Sequence, residues 1–182
     1  MIHNLCLNNT EIIIELFKDN IHNRFIMISQ KIVILMFGSL MGFLTQPIFN
    51  LLGIYTGQQA ITYYGEVHQS KWNSLVHTIG MPFTYYGLLL CVPPLFGTNK
   101  MDTLLLQLFL YSYFISYYMS MNFDIGFIVA VCYLPSQIYA MEFYQRSLSR
   151  PVTIIYGFMV AGTALTIQEV FGHWLGGDKP QE

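Results

Sequence analysis

Two of the five histidines in this 182-residue chain stand where long apolar runs begin or end, His77 and His173, and a third, His68, lies nine residues before His77. Neutral imidazole is a common metal ligand, and a small set of imidazoles on one ion leaves coordination positions for other molecules. Glu169 lies four residues before His173, on the same face of a helix, in a stretch where an unpaired carboxylate would be costly. It either ligates an ion, accepts from the His173 ring and so orients it, or is protonated. A Glu–His hydrogen bond that only ties helices together fits the same spacing. The first two histidines need a device to meet. Over the nine residues from His68 to His77, an unbroken helix turns through about 900° and sends the rings to opposite faces. Gln69-Ser70-Lys71-Trp72 reads as the loop that breaks it, and Asn73 as the N-cap of the next helix.

The elements that must position these residues follow from composition. Hydrophobic residues make up 54% of the chain and charged residues only 10%, against roughly a quarter charged in a soluble domain. Eighteen charged side chains cannot cover a soluble globule, so the solvent of this chain is mostly lipid. A net charge of −2 gives no basic field for nucleic acid. Cys6, Cys91 and Cys132 form no CxxC pair, so a disulfide framework or a cysteine zinc site is not expected; Cys91 and Cys132 read as small apolar packers.

Apolar runs at 32–54, 77–97, 103–121, 125–141 and 152–172 are each able to cross a hydrocarbon core of roughly 30 Å as helices. They lack the period-two alternation of a barrel. Residues 10–30 mix Ile13, Ile14, Phe17, Ile21, Phe25 and Ile28 with charges, as in an amphipathic helix lying at a membrane surface. The fold expected is all-α: a polytopic membrane bundle of about five transmembrane helices preceded by that amphipathic helix.

Charge and parity then place the site. With the N-terminus cytoplasmic, six Lys and Arg fall inside (Lys18, Arg24, Lys31, Lys100, Arg146, Arg150) and two outside (Lys71, Lys179). His77 opens the second span and His173 closes the fifth. Four crossings separate them, an even number, so both lie at one membrane face. His68 and Asp124 share that face, while His3 and His22 do not.

The pattern Tyr64-x3-His68-x4-Asn73-x3-His77-x4-Pro82, with Gly172-His173 after the last span, resembles the 2-hydroxy fatty acid dioxygenases of phytosphingosine degradation. That family consists of small polytopic endoplasmic-reticulum proteins. The resemblance covers about residues 55–180, which makes 1–54 an N-terminal addition with an extra span and 55–182 the dioxygenase-like membrane domain. It implies an iron(II)- and O2-dependent α-oxidation, in which a 2-hydroxy fatty acid becomes the acid one carbon shorter. By this resemblance His68, His77 and His173 hold the iron, Glu169 joins them as ligand or partner, and Tyr64, Asn73, Gln168 and Asp124 support the site. Family members carry Gln four residues before the last His; here Glu169 stands there and Gln168 precedes it. After Gly-His the family continues to a Glu and a basic stretch, where this chain reads Trp174-Leu-Gly-Gly-Asp178-Lys-Pro180.

A two-iron hydroxylase needs about eight clustered histidines, which this chain lacks. A non-catalytic membrane scaffold keeping the fold is the rival reading, and bound iron separates the two. A transporter is disfavoured by the scarcity of charges within the spans. Zinc is the competing metal for the same imidazoles.

Overall fold

The computed structural model describes residues 2–53, 59, 62, 65, 66, 68–146 and 149–176, with side chains from residue 20 onward. The long α-helices among the described residues are α1 (Ile2–Leu51), α2 (Lys71–Phe96), α3 (Lys100–Met121), α4 (Phe123–Arg146) and α5 (Arg150–Ile167). The last runs directly into a π-helical segment, Gln168–Trp174. Among the described residues, five helical stretches are long and apolar enough to cross a membrane, the fifth being Arg150–Trp174.

Helix boundaries have local causes. Ser70 has extended backbone and its Oγ accepts from the Asn73 N–H at 3.0 Å, so α2 starts at Lys71. Asn99 caps α3 in the same way, its Oδ1 accepting from the Asp102 N–H at 2.9 Å. Asn122 breaks the chain between α3 and α4, and its Oδ1 accepts from the Ile125 N–H at 3.1 Å. Pro151 occupies the first turn of α5, where a missing N–H costs nothing.

One expectation is corrected at these ends. Ser70 is the N-cap of α2, and Asn73 lies inside its first turn. Residues 10–30 and the start of the apolar run at 32–54 lie on one continuous helix, α1. At about 1.5 Å per residue α1 is some 75 Å long, more than twice a hydrocarbon core of roughly 30 Å. The part of it apolar enough to cross one falls within Asn20–Leu51.

Burial is inverted relative to a soluble protein. Phe25, Phe83, Phe127, Val152 and Met159 are exposed, whereas Gln107, Thr103, Thr153 and Asn73 are fully buried. Lipid tails are as apolar as leucine, so such helices associate through close packing and hydrogen bonds. The polar groups act as that glue: Gln107 Nε2 donates to Leu89 O at 2.9 Å, Tyr85 OH to Gln137 Oε1 at 3.1 Å, and Ser136 Oγ to Pro82 O at 2.9 Å.

The contact between α2 and α5 fixes the site. Asn73, His77, Gly80, Thr84, Gly87 and Cys91 recur every three or four residues and form one buried, small and polar stripe along α2. Thr153, Gly157, Ala161 and Ala164 form the matching stripe on α5, continued by Gln168 and Gly172 in the π-helical segment. The helices run antiparallel at very close range. A Cβ on Gly87 would sit 2.5 Å from Ala161 N, and one on Gly157 would sit 2.6 Å from Gly87 O. This zipper delivers the N-terminal turns of α2 to the C-terminal end of α5. α1 packs parallel to α3 through Gly38 and Gly42, against Ser112 and Ser116, away from that junction.

Candidate metal centre

His68, His77 and His173 converge. All three are buried, and one nitrogen from each lies within 4.8 Å of the others. His77 Nε2 and His173 Nε2 are 3.2 Å apart. The ring of His68 packs edge-on against both, with centroids 4.3 Å from His77 and 5.0 Å from His173. A single ion bonded to both Nε2 atoms at ~2.1 Å would subtend an angle of about 100°. That lies between octahedral and tetrahedral values, so two of the three nitrogens already have the spacing that either geometry demands.

Each imidazole arrives by a separate route. His68 lies in the non-helical stretch before Ser70, and the break there frees its ring from the α2 direction. His77 projects from the second turn of α2. His173 is carried by the π-helical segment. Three residues of that segment are buried, Gln168, Gly172 and His173, while Phe171 and Trp174 face outward. π-helical insertions are frequent at functional sites, because they re-aim a side chain without ending the helix. Trp72 helps hold this one, its Nε1 donating to Phe171 O at 2.8 Å.

Two glycines allow the approach. A Cβ on Gly172 would lie 2.5 Å from Asn73 Oδ1 and 3.3 Å from His77 Nε2. A Cβ on Gly80 would lie 2.5 Å from Gln168 Cγ. The Gly-His pair therefore has a steric cause: only glycine lets the segment press His173 against α2.

Asn73 is the partner of the His173 ring. Its side-chain amide lies 3.3 Å from His173 Nδ1 and is fully buried. Amide oxygen and nitrogen are assigned by their hydrogen bonds. Nδ2 is the atom that stands toward Nδ1; with the amide turned over, its oxygen accepts from the ring N–H and Nε2 keeps its lone pair for an ion. Gln168 lies beside the cluster, its Nε2 donating to Thr84 Oγ1 at 2.8 Å and Ala164 O at 3.1 Å.

The remaining sequence candidates are placed as follows. Glu169 is half-buried and belongs to no metal-sized group among the described residues; Gln168 takes the inward position. The π-helical turn is the reason, since it brings the residue five before His173 to the face that the residue four before it would share in an α-helix. Asp124 sits at the same membrane end, as parity requires, but is exposed in the first turn of α4 and outside the cluster. Tyr64 and Asp178 lie outside the described residues. Cys91 is a buried packer as expected, whereas Cys132 is exposed. Trp72, expected in the loop with Lys71, instead lies with it in the first turn of α2, and Gly80 and Thr84 carried no role in the sequence reading. Gly80 and Thr84 could have been found from the Asn73–His77–Gly80–Thr84 spacing, which continues the histidine face down α2.

His77 and Thr78 also line the polar end of a cavity of about 450 Å³ bounded by α2, α3 and α4. Beyond them its walls are apolar or aromatic: Met81, Tyr117, Tyr118, Ile128 and Tyr133. The chain was compared with family models, curated proteins and solved structures, and nothing matches it.

Proposed function

We propose that this chain is a membrane-embedded oxygenase that uses O2 to convert a 2-hydroxy fatty acid to the acid one carbon shorter, and that His68, His77 and His173 would hold the iron(II) ion this chemistry requires. The observation that carries the reading is the convergence of three buried imidazoles from three separate backbone segments, one of which, His77, also lines an apolar cavity. Three neutral nitrogens suit a divalent first-row metal and leave positions on it for a chelating hydroxy acid and for O2. The resemblance of the His68–Pro82 and Gly172-His173 patterns to 2-hydroxy fatty acid dioxygenases supplies the reaction, the iron and an endoplasmic-reticulum membrane as its setting.

The chain's own groups have definite tasks in this scheme. Asn73 holds the His173 ring so that Nε2 faces the ion. Gln168 and Thr84 close the side of the site toward α5. Met81 and Tyr133 give the reacting end a wall that excludes water. The metal supplies the redox chemistry. Atoms balance with one O2 per acid, giving the shortened acid, carbon dioxide and water.

The test is oxygen uptake by the purified protein on 2-hydroxyhexadecanoic acid, with pentadecanoic acid as product. Activity restored to the metal-stripped protein by iron(II) and not by zinc supports the reading. Bound metal with no oxygen uptake would favour a non-catalytic role.

A further inference from the structure

Pro82 and Cys132 line the cavity at His77, and they also line a separate cavity of about 840 Å³ that lies along α2 and α4 farther from the histidines. Pro135, Tyr139 and Phe143 form its floor on α4, Tyr86 lies across from them on α2, and Tyr156 of α5 forms the far wall. The Glu142–Arg146 ion pair marks its end. From Ile125 to Arg146 the furrow follows α4 for about 32 Å, close to the thickness of a hydrocarbon core.

We infer that this furrow holds a single alkyl chain, its polar head at the histidines and its methyl end running past Cys132 toward Phe143. The inference deepens the proposed function and rests on it for the identity of the head group. Three features select the occupant. His77 and Thr78 lie at one end, and Glu142 and Arg146 at the other. The wall between is mainly aliphatic and aromatic, with the Ser136 hydroxyl there bonded to Pro82 O, which gives an alkyl chain affinity without fixing its length. The waist at Pro82 and Cys132 is held by the Ser136–Pro82 hydrogen bond across α2 and α4, so the two halves stay aligned. Cys132 is exposed at that waist, where the chain must pass.

Photo-crosslinking tests the placement without turnover. The probe is 2-hydroxyhexadecanoic acid with a diazirine near its methyl end, added to the purified full chain under argon. Adducts on residues 132–143 of α4 are expected, and Cys132→Trp should abolish them while leaving bound metal unchanged. Adducts mainly on α1 or the outer face of α5, or adducts on 132–143 that persist in Cys132→Trp, would overturn the inference. So would a reversed probe, with the diazirine near the head group, labelling beside Arg146. Expected adducts without oxygen uptake would leave the furrow standing and defeat the oxygenase reading. Oxygen uptake with adducts elsewhere would do the opposite.

Discussion

Gly172 and Asn73 stand so close that a methyl group on Gly172 would lie 2.5 Å from the end of the Asn73 side-chain amide. The same amide meets the His173 ring, so the backbone at 172 and the ring at 173 are both set against one side chain. Gly172→Ala should push Asn73 off Nδ1 and lower metal affinity by about 10- to 100-fold, the usual cost of losing a group that orients a ligand. Equilibrium dialysis against zinc or iron(II) measures it, with circular dichroism confirming retained helix. Unchanged affinity would mean that the contact relaxes freely.

Asn73 itself separates orientation from capping. Asn73→Asp keeps an acceptor for Nδ1–H and should retain the metal, whereas Asn73→Leu should lose about 10- to 100-fold in affinity. Ser70→Ala, which removes the true cap, should cost about 1 kcal/mol of stability and leave metal stoichiometry intact. Thermal unfolding in detergent and metal analysis of the three variants distinguish the two roles.

Gln168 and Glu169 are adjacent and should behave differently. Gln168→Leu removes the buried amide that meets Thr84, leaving that hydroxyl without this donor, and should reduce bound metal. Glu169→Gln should leave it at the wild-type level. The reverse pattern would return Glu169 to the site and place the π-helical turn in error.

Much of this was legible before the fold. Apolar runs and the charges between them gave five crossings, and parity alone placed His77 and His173 at one end, where the rings now meet. The 73–77–80–84–87–91 spacing was equally readable as a buried stripe, because a close helix contact demands small residues at three- and four-residue intervals. The rest had no local signal. Ser70 and Asn73 are both good caps three residues apart, and only the extended backbone at Ser70 decides between them. Charges at 10–30 read as a surface helix, yet nothing in a helix forces it to stop where the bilayer does. The π-helical turn at 168–174 arises from packing against α2, so the exchange of Glu169 for Gln168 needed the tertiary structure.

The α2–α5 zipper should be intolerant of volume. Gly157→Leu puts a side chain where backbone atoms of Gly87 and Cys91 already lie, and should destabilise by at least about 1–3 kcal/mol. Gly162→Leu, on the open face of the same helix with nothing within 4 Å, should be near neutral. Unfolding temperatures in detergent compare the pair, and equal shifts would contradict the packing.

The central claim is that one ion sits on three imidazoles, and metal content after alanine replacement tests it most directly. The wild-type chain should retain about one ion after purification, and His68→Ala, His77→Ala and His173→Ala should each fall below roughly a tenth of that while remaining helical, because packing rather than the ion holds the bundle. Wild-type metal content in any one of the three variants would contradict the account.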